Sequence, residues 1–172
     1  MTGVQTCALP ISGIFGIADM DGDGKGEIYL RDRIFAAETG KLIASEGAKT
    51  MNDTGLWDTE VSSAPVAVSV TGDNKMELVV GTKIYTIPSL TTRSPASPSA
   101  LTLFKDMNTS LAAADKGYVK LMNDPVEYGI DTHSSNSVAD FDGDGFMDVF
   151  FAGAKGSNIG RTAIFYWNVQ KC

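Results

Sequence analysis

Two stretches far apart in the chain are near copies: ADMDGDGKGEI (Ala18 to Ile28) and ADFDGDGFMDV (Ala139 to Val149). Each places acids at positions 1, 3, 5 and 9 of a loop and glycines at positions 4 and 6. Short apolar runs flank both. Carboxylates at alternate positions of a curling loop can converge on one point, and glycine permits the backbone conformations that such curling demands. A duplicated strand–loop–strand unit is a strong constraint on the fold, because an overlooked repeat miscalls the whole architecture.

A worn third copy lies between them, VSVTGDNKMELVVG (Val68 to Gly81). In the same register Ser69 and Thr71 stand where the first copy has Asp19 and Asp21, while Asp73 and Glu77 keep positions 5 and 9. Around every copy the pattern is the same. An apolar strand leads in (GIFGIAD, APVAVSV, NSVAD), another leads out (EIYL, ELVVG, DVFFAG), and a further one follows (RIFAA, KIYTIPSL, TAIFYWN). These runs are β-branched and aromatic and are bounded by Gly, Asp, Asn or Pro, the signature of strands and hairpins. A turn at Glu38-Thr39-Gly40 followed by an apolar run gives the first unit a fourth strand.

The expected fold is therefore all-β. Units of about four strands point to propeller blades, here about three, at approximately 13–63, 64–122 and 123–172. The segments between units differ. Gly47 to Ser63 is polar and irregular, and Ser89 to Ala100, with Pro95 and Pro98, reads as an exposed loop. Asn108 to Gly117 can form two helical turns. A propeller takes 4 to 8 blades to close, so further blades of the same chain are expected as partners of these three. Residues 1–12 stand apart, because GVQTCALPIS (Gly3 to Ser12) resembles a translated sequencing-library adaptor. A signal-peptide remnant is the rival reading, but no Lys or Arg precedes the apolar run.

Hard oxygen donors in this number suit Ca²⁺, which takes 6 to 8 of them, and no Cys or His lies near to favour zinc. An EF-hand is excluded: position 12 is Leu30 in one copy and Phe151 in the other, both apolar. The spacing D-x-D-G-D-G-x-x-[DE] resembles the calcium loop of FG-GAP/VCBS-type repeats, found in integrin-like β-propellers and many bacterial surface proteins. The resemblance implies side-chain ligands at positions 1, 3, 5 and 9 and a carbonyl ligand at 7. In this chain those are Asp19, Asp21, Asp23, Lys25 and Glu27, then Asp140, Asp142, Asp144, Phe146 and Asp148. The middle copy, left with Asp73 and Glu77, is expected to be a structural turn and not a third calcium site.

Composition narrows the function. Net charge is −7 from 14 basic and 21 acidic side chains, and eight of those acids lie in the two loops. That argues against nucleic acid or an anionic membrane surface as partner, and no apolar run approaches the length of a membrane helix. Two cysteines, Cys7 and Cys172, make no disulfide framework. Catalysis finds little support. His133 is the only histidine, Ser134, Ser135 and Asp131 beside it form no triad signature, and no G-x-S-x-G elbow exists. Trp57, Trp167 and Tyr166 could stack on sugar rings, with core packing the commoner role for a strand residue such as Trp167.

The expected function is a calcium-stabilised binding or scaffold module with no catalytic or organic-cofactor residues. The resemblance implies a secreted or cell-surface bacterial protein that meets a protein or glycan on its loop face. The alternative is a propeller region of a polysaccharide lyase or hydrolase whose catalytic centre lies elsewhere.

Overall fold

The computed structural model describes residues 15–48, 64–73, 75–81, 83–106, 118–120, 134–153, 163–167 and 169, and every regular element among them is a β-strand. The adaptor-like residues 1–12, both cysteines, Trp57, Asp131, His133 and the candidate helix at 108–117 lie outside these. Tyr166 and Trp167 are placed only as strand positions.

The first unit is an antiparallel meander of β1 (Phe15–Ala18), β2 (Glu27–Leu30), β3 (Arg33–Ala36) and β4 (Leu42–Glu46). The second repeats it with β5 (Val66–Val68), β6 (Glu77–Val80), β7 (Lys83–Thr86) and β8 (Ser99–Asp106). The third contains β10 (Ser134–Ala139), β11 (Asp148–Gly153) and β12 (Ala163–Trp167), with β9 (Tyr118–Lys120) antiparallel along the far side of β12. The β2–β3 and β6–β7 hairpins both close over two residues, starting with Arg31 at φ 54° and Gly81 at φ 57°. Such turns need the left-handed region, which glycine enters freely and arginine only at a cost.

Two features go beyond a simple row of meanders. The eight-residue β8 is the longest strand among the described residues, and it pairs twice. Its first residues lie parallel to β4, with Ala44 opposite Ser99 and Glu46 opposite Leu101, and its later ones run antiparallel to β7. The first two units are thereby fused into one eight-stranded sheet, ordered β1-β2-β3-β4-β8-β7-β6-β5. An uncovered β4 would expose a row of unpaired amides and carbonyls, which β8 satisfies. β9, for its part, precedes β10 in sequence yet takes the fourth-strand place of the third sheet.

The sheet curls until its end strands β1 and β5 touch, and β5 also touches β10. The strands that lead into the three loops thus lie side by side. One apolar cluster joins the first two units: Met20, Tyr29, Ile34, Ile43, Leu78, Tyr85, Leu90 and Leu101 are all buried within it. Burial of this apolar area is the main force holding the two units together. Polar ties add direction. The Tyr85 hydroxyl donates to Glu46 Oε1 at 2.9 Å and Lys83 Nζ lies 3.3 Å from the same oxygen. Burial, then the Glu46 charge, pushes the Tyr85 hydroxyl well above the ordinary phenol range.

Candidate metal centres

All three loops share one frame. The position-4 glycines Gly22, Gly72 and Gly143 have φ of 75°, 75° and 74°. No residue with a Cβ enters this region without strain, which explains glycine at that place in every copy. The position-9 acids are all buried, with Glu27 0%, Glu77 3% and Asp148 1% exposed. Each accepts the backbone N–H of position 2: Met20 to Glu27 Oε2 at 2.7 Å, Val70 to Glu77 Oε2 at 2.9 Å, and Phe141 to Asp148 Oδ2 at 2.9 Å. The closing carboxylate therefore buckles the loop shut at the start of the leading-out strand. In the first and middle loops this bond is buried, so without the acceptor the position-2 amide would be left unpaired inside the protein.

The position-1 aspartates hold the tip. Asp19 accepts from Asp23 N at 3.0 Å and Gly24 N at 2.9 Å; Asp140 accepts from Gly143 N at 2.8 Å, Asp144 N at 3.1 Å and Gly145 N at 3.0 Å. The position-5 acids turn to the backbone as well, Asp23 Oδ1 accepting from Lys25 N at 2.8 Å and Asp144 Oδ1 from Phe146 N at 3.0 Å.

Two acidic groups result. Carboxylate oxygens of Asp19, Asp21 and Glu27 lie within 4.8 Å of one another, and so do those of Asp140, Asp142 and Asp148. These sets could hold a metal ion. Of the residues picked from spacing, positions 1, 3 and 9 converge in this way and Asp23 and Asp144 do not join them. The donor set is all carboxylate oxygen, which fits a hard cation such as Ca²⁺ and is a poor set for zinc. Repulsion between such close carboxylates is on the order of 1–4 kcal/mol per pair before any compensation.

The three loops meet that repulsion differently. In the middle copy the Thr71 hydroxyl lies 2.9 Å from Asp73 Oδ1 and 3.3 Å from Glu77 Oε1, so its one proton sits between the two acids. The Lys75 amide and then the Thr71 hydroxyl lower the Asp73 carboxyl, whereas burial raises that of Glu77. A hydroxyl has replaced a charge.

The first loop instead has a guanidinium. Arg93, from the connection between β7 and β8, pairs through Nη1 with Glu27 Oε1 and donates through Nη2 to the Gly26 carbonyl at 2.9 Å. Its Nε and Nη2 also grip Glu38, in the β3–β4 turn, at 2.8 and 2.7 Å. Local sequence carries no sign of this residue, which acts 66 positions from Glu27. The exposed-loop reading of Ser89 to Ala100 holds for its tip but not for Leu90, which is 1% exposed and joins the core.

The Arg93 hydrogen bonds hold the Glu38 carboxyl near 2 instead of the ordinary 4.5. A lowered folded-state value contributes stability above pH 4.5 that is lost as pH falls toward 2. Thermal melts between pH 7 and 2 should therefore show a steeper acid decline for the natural chain than for Glu38→Gln; parallel declines would contradict it.

Among the described residues no basic side chain pairs with Asp148. The third loop does touch its neighbour: the Phe146 ring lies over Gly72, 2.5 Å from where a Cβ would be. Phe141 is 66% exposed at position 2, where Met20 and Val70 are buried, and stacks tilted on Phe150 at 4.1 Å between ring centroids. Among the described residues no helix is long and apolar enough to cross a membrane. No family model, curated protein or solved structure matches the chain.

Proposed function

We infer that the chain is a calcium-stabilised β-propeller segment of FG-GAP/VCBS type, serving as a binding or scaffold module of a secreted or cell-surface protein. The observation that carries this reading is the recurrence of one loop frame with three converging carboxylates in two copies and a hydroxyl substitute in the third. Chemically unrelated acidic turns would have no reason to share the position-4 φ and the buried position-9 buckle. The side-by-side placement of β1, β5 and β10 is what blades around a common axis require.

Asp19, Asp21 and Glu27 would hold one ion and Asp140, Asp142 and Asp148 a second, with Asp23, Asp144 and the carbonyls of Lys25 and Phe146 completing the sets that the repeat resemblance implies. Calcium there supplies folding energy by cancelling the carboxylate repulsion at a strand-to-strand turn. Sites of this kind suit the millimolar calcium outside cells. The loop-bearing face, with exposed Phe141, Phe146 and Met147, is where a protein or glycan partner would meet it.

Calorimetric titration should find two calcium ions per natural chain and one for Asp142→Ala. No bound calcium in either protein would reject the reading.

A further inference from the structure

Glu27 and Asp148 are counterparts in sequence, but their second oxygens face different surroundings. Glu27 Oε2 is taken by the Met20 amide and Oε1 by the Arg93 guanidinium, so a fully buried carboxylate has both oxygens engaged within the protein. Asp148 Oδ2 is taken by the Phe141 amide, and no described basic side chain pairs with the residue. Arg93 is only 11% exposed, fixed by a two-point grip on Glu38, and tied further by the Thr39 hydroxyl donating to its carbonyl at 3.4 Å. It comes from the second unit and neutralises the loop of the first.

We propose that Arg93 is a tethered competitor for the cation at the first loop. The two acidic loops are then unequal: calcium fills the Asp140 loop first, and fills the Asp19 loop only by displacing the guanidinium from Glu27 Oε1. Filling the first loop thereby loosens the hold of the 87–98 connection on the first unit, because Gly26 and Glu27 supply part of that hold while Glu38 supplies the rest. This rests on the calcium reading above and adds to it an order of filling and a link between neighbouring units. The competition is electrostatic and geometric: a fixed positive charge beside a divalent ion repels it, and a guanidinium seated on Glu27 Oε1 crowds the approach of a cation to that oxygen.

The test uses the chain with Asp142→Asn, which silences the third loop and leaves the first as the site read by calorimetry. Adding Arg93→Gln should tighten calcium binding at least about tenfold, the scale of removing one unit charge a few ångströms from a divalent ion. Arg93→Lys, which keeps the charge but not the fork that fixes it on Glu27, Gly26 and Glu38, should bind calcium more tightly than the Arg93 protein and less tightly than Arg93→Gln. Hydrogen exchange at residues 89–94 should rise with calcium in the Arg93 protein and be insensitive to it in Arg93→Gln. Near-ultraviolet circular dichroism establishes that each variant is folded; should Arg93→Gln not fold, exchange in the Arg93 protein and affinity in Arg93→Lys decide. Unchanged or weaker binding in Arg93→Gln, or exchange at 89–94 that calcium does not alter, would overturn the proposal while leaving the calcium reading intact. No calcium binding even with Asp142 restored would overturn both.

Discussion

Replacing Glu27 by Ala is expected to lower the unfolding free energy by about 3–5 kcal/mol, the scale of breaking a buried ion pair from one side. Three losses combine. The Met20 amide loses its acceptor inside the core, Arg93 keeps only Glu38 and the Gly26 carbonyl as partners, and the loop loses its buckle. Glu27→Gln separates these effects, since its amide oxygen can still accept from Met20 and its cost should be clearly smaller. The matched change in the middle loop, Glu77→Gln, should be close to neutral, because burial already disfavours the charge there. Urea unfolding of the three variants measures all of this. Equal losses for Glu27→Ala and Glu77→Gln would mean that the closing acid has no special role in the first loop.

The second large effect is expected at Asn136. Its side chain, 7% exposed on β10, makes two bonds to a single residue of the β6–β7 turn: Nδ2 donates to the Gly81 carbonyl at 2.8 Å and Oδ1 accepts from the Gly81 amide at 2.9 Å. Asn136→Ala leaves a buried donor and a buried acceptor unpaired, which costs about 2–4 kcal/mol. Asn136→Asp should not rescue it, because the second carboxylate oxygen would face the Gly81 carbonyl. The damage falls on the junction between the second and third units, so hydrogen exchange should accelerate in β6, β7 and β10 before it does in β2 and β3. Uniform acceleration across all three units would argue that they unfold as one block without a distinct junction at Gly81.

The repeat made most of the strands legible. Those around the loops are where alternating apolar runs and turn residues placed them, and the Glu38-Thr39-Gly40 turn leads into β4 as its composition indicates. The start of β8 was obscured by Pro95, Pro98 and their polar neighbours, and β9 is three residues long; neither carries enough local pattern to be seen. Pairing of β8 with β4 was also invisible, because it depends on the β4 edge needing a partner and not on any periodicity in β8. Spacing made the acidic loops visible, because a short loop that glycine allows to curl brings alternate acids together, but it also counted Asp23 and Asp144, which turn to backbone amides and do not join the converging groups. What spacing does not reveal is how the charges are neutralised. Thr71 could be read as a lost carboxylate but not as a proton bridge, and Arg93 and Asn136 act across units, where sequence distance hides them.

If calcium is the counter-ion of these loops, a thermal melt in calcium against a chelator will show it. At a hundredfold excess over the dissociation constant one filled loop adds about 2.7 kcal/mol. In a chain of this size that raises Tm by about 5–10 °C. Tm should rise by at least that much in calcium, fall back on adding chelator, and rise less in Asp142→Ala. Coincident melting curves in millimolar calcium and in chelator would contradict it.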